Sequence, residues 1–548
     1  MPRTQSMRIG LCARAISKAF RNNLTRNRHL GLLEYSSVTR RPSVVIRTSP
    51  PPARRFHHPG IPSATMSLSP NAALPPRIPA DDGLDPKQRR HAIRRALVAL
   101  AIVILLGMLA FSAYALTFPE RMPATIGLLV EDITGANPAP VHLERPPVAP
   151  LSALALLGKQ IFFDASLSAS GKQSCASCHS PNHSYGPPNG LSVQLGGPHM
   201  DQDGYRPPPS LAYLYRQAPF SIGPDANDAD AAVNLNAEAA AAQGVPRAQK
   251  TAGAAPAAPA IVPQGGLFWD GRADTLQKQA SGPMLNPVEM ANKDTADVVD
   301  KLAHAKYRDM FEMLFGKQIF DTPNLLIDEA MSAVSRYQIE DPSFHAFTSK
   351  YDYWLEGRAR MTQAEIHGMR LFNDPDKANC AGCHLSRVSP DGLPPVFTDT
   401  QYEALGVPRN RTLAQNKDPA FFDMGVCGPF RSDIATQTQF CGMFLTPTLR
   451  NSAERGVYFH NGVYHTLKQV MDFYNLRNTH PDAIYPRDAN GKLQPYDDLP
   501  ARYRANIDVA DAPFDRKFGD PNAMSDQDID DIIAFMKTLS DGYKVSAN

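Results

Sequence analysis

The chemistry most legible in this chain lies in two short motifs, CASCH at Cys175, Cys178 and His179 and CAGCH at Cys380, Cys383 and His384. Each sets two thiols about a helical turn apart, with a histidine directly behind them. The pattern suits covalent attachment of a c-type haem: the thiols add to the vinyl groups, and the imidazole meets the iron from its proximal side. One such motif alone would also fit a zinc or dithiol site. Two of them, each behind a helix that ends in an aromatic residue, imply two covalently bound c-type haems. The sixth ligand then decides the chemistry, because five-coordinate iron takes up peroxide whereas six-coordinate iron mostly passes electrons. Candidates near the first motif are His183 and His199; for the second they are Met443, His460, His465, Met471 and Tyr474. Spacing does not choose among them.

The elements that must position these motifs repeat along the chain. Leu151, Leu154, Ala155 and Leu157 mark a helix that runs through GKQIFF toward the first motif. Thr362 and Glu365 form a capping box that opens a second helix, which ends in GMRLF before the second motif. Glycine, two residues, Ile or Leu, then Phe, followed each time by CxxCH, reads as an internal duplication. The expected fold is mainly α, with two cytochrome c-like haem domains over 151–345 and 346–548. Ser525 caps a closing helix whose apolar face is Ile529, Ile532, Ile533 and Met536. An Ala/Pro-rich insertion at 219–263 reads as low-complexity loop.

Charge is distributed unevenly. The 548 residues carry a formal net charge of +2, yet residues 1–95 hold 18 Lys and Arg against 4 acids, which leaves −12 on the remainder. An acidic body excludes nucleic acid as a partner. Residues 96–116 are continuously apolar or small and long enough to cross a bilayer as a single transmembrane helix. Lys87, Arg89, Arg90, Arg94 and Arg95 stand before it, a cluster that stays cytoplasmic and sends the rest of the chain to the periplasm. The alternative is a cleaved signal at Ala113-Tyr114-Ala115; the length of the apolar core favours an uncleaved inner-membrane anchor. Residues 1–95 read as a disordered basic leader, with Met66 an alternative start, and the Pro-rich 117–150 as a tether. Four of the seven cysteines belong to the motifs and Cys12 to the leader. Cys427 and Cys441, each followed by glycine, are expected to form a disulfide in an oxidising compartment.

Beyond the haem motifs, LFWDGRADTLQKQASGPMLNPVEM (Leu267 to Met290), LTPTLRN (Leu445 to Asn451), YFHNG (Tyr458 to Gly462) and LKQVMDFY (Leu467 to Tyr474) resemble the bacterial diheme cytochrome c peroxidase/MauG superfamily. The resemblance spans most of 151–540. It implies a peroxidatic haem in the N-terminal domain and an electron-transfer haem in the C-terminal one. Trp269 matches a tryptophan between the haems, and Gln279, Pro283 and Glu289 match distal residues of the peroxide-binding haem. Glu289 matches the acid/base glutamate, a role that chemistry also supports: a buried carboxyl can take one peroxide proton and return it to the leaving oxygen. Tyr474 matches the distal ligand of the second haem, where typical peroxidases have methionine and MauG has tyrosine; Met471 is the alternative. A phenolate there lowers the reduction potential and suits a bis-Fe(IV)-type high-valent state.

Two departures accompany the likeness. Counting along the loop after the first motif puts the family's distal histidine on either His199 or Gly197, so the first haem reads as open. The family's Arg-Asn-x-Pro becomes Arg206-Pro207-Pro208-Pro209, which removes an oxygen donor and argues against an inter-haem calcium.

Three functions compete on these grounds. The first is reduction of hydrogen peroxide to water, with electrons from a small periplasmic cytochrome c, a copper protein or a membrane donor. The second is MauG-like oxidation of a partner protein by long-range hole transfer. The third, a tethered electron-transfer cytochrome without chemistry, is disfavoured by Glu289 beside an open iron.

Overall fold

The computed structural model describes residues 85–117, 124–224 and 261–545. The chain divides into two units, Met1–Lys87 and Gln88–Asn548. Nearly all of the first, including Cys12, Met66 and most of the expected leader, lies outside the described residues, and both CxxCH motifs fall in the second.

Helix α1 spans Pro86–Thr117, so it begins within the stretch read as leader rather than at Ala96. Pro86 supplies a φ suited to the first helical turn, and the Lys, Gln and Arg residues behind it are good helix formers. Its Arg90–Tyr114 portion is long and apolar enough to cross a membrane, and none of it is buried.

From residue 124 on, the stretch read as a Pro-rich tether is docked along the body. Helix α2, Ala124–Thr134, buries Val130 and Glu131. Just beyond it, the Gly135 carbonyl accepts from the Met361 amide at 2.8 Å and the Trp354 indole at 3.0 Å. Val141 and Glu144 donate to Leu355 and Gly392 at 2.9 and 2.8 Å. Prolines remove donors only at their own positions, so the residues between them still pair with the body.

Helix α3 (Ala153–Phe162) leads to the first motif and packs on the long helix α7 (Pro323–Glu340), with α4 (Leu276–Leu285), α5 (Thr295–Ala303) and α6 (Arg308–Phe315) around them. After the short α8 (Lys350–Leu355), α9 (Gln363–Asn373) leads to the second motif and packs on α11 (Asp526–Lys537), while α10 (Leu467–Leu476) lies alongside. Capping boxes open α9 at Thr362/Glu365 and α11 at Ser525/Asp528.

The repeated glycine has the same task twice. A Cβ on Gly158 would stand 1.8 Å from the Ala333 carbonyl oxygen of α7, and one on Gly368 would stand 1.9 Å from that of Asp531 in α11. Only a residue without a side chain lets the two helices of each pair meet backbone to backbone. The phenylalanine one turn later, Phe162 or Phe372, is then fully buried. Two separate apolar cores result, one around Phe162, Leu326 and Val334 and the other around Phe372, Ile366 and Phe535.

Strands are few among the described residues: three two-stranded antiparallel pairs, β1–β2 (Leu195–Gly196, Gln202–Asp203), β3–β4 (Ser221–Pro224, Ile261–Gln264) and β5–β6 (Tyr402–Glu403, Phe444–Leu445). The second pair closes the base of the insertion, whose edges at 221–224 and 261–264 are therefore ordered strand rather than loop.

Gly368→Ala should cost about 1–3 kcal/mol or more by forcing α9 and α11 apart. Denaturant unfolding followed by circular dichroism measures it, and an unchanged midpoint would refute the close crossing.

Candidate active site

Each motif closes in the same way. The His179 and His384 amides donate to the Cys175 and Cys380 carbonyls at 2.9 and 2.8 Å, which draws the histidine back over its cysteines. Nδ1 of His179 then lies 3.2 Å from the Tyr185 carbonyl, and Nδ1 of His384 lies 3.0 Å from that of Phe397. Burial pulls both imidazoles down to about 4, so they are neutral. A neutral ring whose Nδ1–H is held by a main-chain carbonyl presents the Nε2 lone pair as an axial ligand. Each histidine, with its two cysteines, lines its own cavity, of about 300 Å³ for the first and about 370 Å³ for the second. A further sign of fit is His460 Nε2, buried on the wall of the second cavity without a hydrogen bond and 3.4 Å from Asp498. The residues present therefore fit a haem in each cavity.

The first cavity brings together Gln279, Pro283 and Glu289. Thr275 caps α4 through the Lys278 amide, and Gln279 follows one turn in. Pro283 sits in the last turns of this helix, and its carbonyl accepts the Met290 amide at 3.2 Å. Asn286 turns the chain, accepting from the Glu289 amide at 3.0 Å. Glu289 is thereby aimed at the cavity wall. Burial raises its carboxyl above the usual range, against the opposing pull of the Arg272 guanidinium and Asn286.

The loop that sequence comparison linked to a distal histidine has another role. Gly197 donates to the Glu289 carbonyl at 2.9 Å, and a Cβ on Gly196 would stand 2.2 Å from the Val288 oxygen. His199 is exposed between β1 and β2, and neither it nor His183 lines the cavity. His179 is the only histidine on that wall among the described residues.

The second cavity gathers His460, Met471 and Tyr474 from the candidate ligands, and leaves out Met443 and His465. Met443 instead packs beside the disulfide, and His465 is exposed and bonded to the Gly456 carbonyl. Tyr474 stacks on Phe514, with ring centroids 5.3 Å apart. Its hydroxyl is pushed well above the usual phenol range, first by burial and then by the Cys383 and Cys380 thiols. A phenolate at this position therefore needs a positive charge in the cavity.

Among the described residues only Trp269 lines both cavities. Its indole donates to the Pro207 carbonyl at 2.9 Å, and its own carbonyl accepts the Leu445 amide at 2.9 Å. Beside it, Arg206 grips Asp423 with two bonds of 2.7 Å and Asp270 with one of 2.9 Å, all three groups being buried. Both carboxylates are thus taken by the guanidinium, and no cluster of three or more His, Cys, Asp or Glu able to hold a metal ion occurs among the described residues. Arg272 and Asn286 escaped sequence reasoning, as did the pairing of Arg206 with Asp270 and Asp423 and the bracing of Glu289 by Gly196 and Gly197; the adjacent glycines were the one available signal.

Cys427 and Cys441 are joined by a disulfide, with Cα atoms 5.0 Å apart. The loop they close holds Phe430, on the wall of the first cavity, and is flanked by Asp423 and Phe444, on the wall of the second.

Two helix-borne CxxCH arms facing two cavities, with one tryptophan between, are an arrangement that suits a two-haem c-type protein. Residues 152–360 match the model of the di-haem cytochrome c peroxidase family. The methylamine utilization protein MauG of Paracoccus denitrificans is 33% identical over 400 residues, covering 71% of this chain and 89% of its own. Cytochrome c551 peroxidase of Nitrosomonas europaea is 28% identical over 346 residues, 61% of this chain and 78% of its own. The crystal structure of the diheme peroxidase BthA from Burkholderia thailandensis covers 72% of this chain and 87% of its own at 34% identity, with a TM-score of 0.60. The chain belongs to the diheme cytochrome c peroxidase/MauG superfamily, a family of two-haem oxidoreductases.

Replacing Cys427 and Cys441 together by serine should remove about 3 kcal/mol of stability, the figure for a closed loop of about this length. Thermal or denaturant unfolding of the double variant reads it, and an unchanged midpoint would show that the loop is held by packing alone.

Proposed function

We propose that this protein reduces hydrogen peroxide to water at the haem of Cys175, Cys178 and His179, with electrons arriving through the haem of Cys380, Cys383 and His384. The balance is one peroxide, two electrons and two protons giving two waters. The observation that carries this reading is the wall of the first cavity, which a carboxyl of raised pKa shares with Gln279 and which no second histidine among the described residues lines. Bound by these residues, the two haems would supply electron storage and peroxide binding. Glu289 takes a proton from one peroxide oxygen and returns it to the leaving one, which its raised pKa suits. Gln279 orients the substrate by hydrogen bonding, and Pro283 shapes the wall. Trp269 relays charge between the cavities.

The haems are held covalently in this reading, in an N-terminal peroxidatic domain over 151–345 and a C-terminal electron-transfer domain over 346–548. The body faces the periplasm behind an uncleaved inner-membrane anchor, where a small cytochrome c, a copper protein or a membrane donor reduces it. Cleavage behind Ala115 would instead release a soluble periplasmic enzyme. A MauG-like reaction, the oxidation of residues in a partner protein, is the second reading. Tyr474 in the second cavity and the 33% identity to MauG of Paracoccus denitrificans favour it.

Steady-state peroxide consumption with a generic reductant tests the first reading. Turnover should fall ~100-fold or more in Glu289→Gln. Activity should also decline as pH drops through a value above the ordinary carboxylate range, because the base form of Glu289 is lost there. That acid limb should vanish in Glu289→Gln; a variant with full turnover would sink the assignment. Slow turnover together with oxidation of an added partner protein would favour the second reading.

Tyr474→Met should raise the reduction potential of the second haem, since a neutral thioether stabilises ferric iron less than a phenolate. Spectroelectrochemical titration with no shift would remove Tyr474 as a ligand and turn attention to Met471.

A further inference from the structure

Helix α2 is amphipathic in the wrong sense for a helix facing water. Its carboxylates are paired on the side toward α9: Glu131 is buried, and Glu131 and the half-exposed Asp132 both bind Arg370 of α9. Its exposed side chains, among those described, are Leu128, Leu129 and Ile133, which are 49, 56 and 71% accessible. An apolar face of this kind on a helix already docked through its polar side is not explained by the fold. Its place in the chain suggests what covers it. Only residues 118–123 separate it from the end of α1, a span of at most about 25 Å when fully extended. The face therefore stays near whatever surface α1 enters.

We propose that Leu128, Leu129 and Ile133 rest in the lipid interface of the membrane that α1 spans. This inference depends on the uncleaved anchor. It makes α2 a second, in-plane contact that clamps α9, the helix leading to the second motif, beside the bilayer through Arg370. The partner is a lipid surface, recognised by apolar burial without basic residues on the contacting face.

The test uses full-length, haem-loaded protein in phosphatidylethanolamine/phosphatidylglycerol vesicles that carry a phospholipid with a photoactivatable acyl chain. After irradiation, lipid adducts are mapped by mass spectrometry, and a parallel sample is washed with alkaline carbonate. Adducts on both α1 and α2 are expected, with those on α2 lost in the triple variant Leu128→Glu, Leu129→Glu, Ile133→Glu while those on α1 persist. Adducts confined to α1 in carbonate-resistant protein would overturn the α2 contact and leave the anchor standing. Protein extracted by carbonate, without adducts, would overturn the anchor and this inference with it.

Discussion

The arrangement of both cavities follows from holding a neutral imidazole, by its Nδ1–H, against a main-chain carbonyl in a buried pocket. The bonds from His179 to Tyr185 and from His384 to Phe397 set the tautomer and aim the ring. They hold only while the carbonyl stays in place. Tyr185 is kept there by stacking on Phe344 at 3.6 Å, and Phe397 by the aromatic core around Phe372 and Phe535. Those cores in turn exist because α3 meets α7, and α9 meets α11, at glycine. A methyl group at either crossing would move the arm that carries a haem motif.

The same low-dielectric surroundings divide the labour between the two cavities. Burial lifts the Glu289 carboxyl, which fits it for carrying a proton, and lifts the Tyr474 phenol, which fits it for nothing unless a cation offsets the charge. One physical term thus favours proton chemistry in the first cavity and ligation of a positive centre in the second. Arg206, between them, keeps its charge because two buried carboxylates surround it. Trp269 meets both cavities and is held by hydrogen bonds on its indole and its backbone, so its position is fixed from both sides.

The polar interior of the docked N-terminal strip belongs to the same scheme. Glu131 and Asp132 are spent on Arg370, so the strip is tied to the arm of the second motif by charge as well as by main-chain bonds.

How much of this was written in the chain depends on the range of the interaction. The CxxCH motifs, the capping box at Thr362, the cap at Ser525 and the Gly-x-x-Ile/Leu-Phe repeat are local: their meaning lies in residues a few positions apart, so the sequence alone determined α3, α9 and α11, the starts of the last two, and the two CxxCH arms. Likeness to a family supplied Trp269, Glu289 and Tyr474 as candidates. Only the tertiary structure decided that α2 and the Pro-rich strip dock, that Gly196 and Gly197 brace Glu289 instead of offering a histidine, and that Arg206 joins Asp270 and Asp423. Those contacts link residues far apart in sequence, where no periodicity or spacing records who meets whom. Burial, which shifts the proton affinity of His179, His384, Glu289 and Tyr474, is a property of the packed chain and of no residue taken singly.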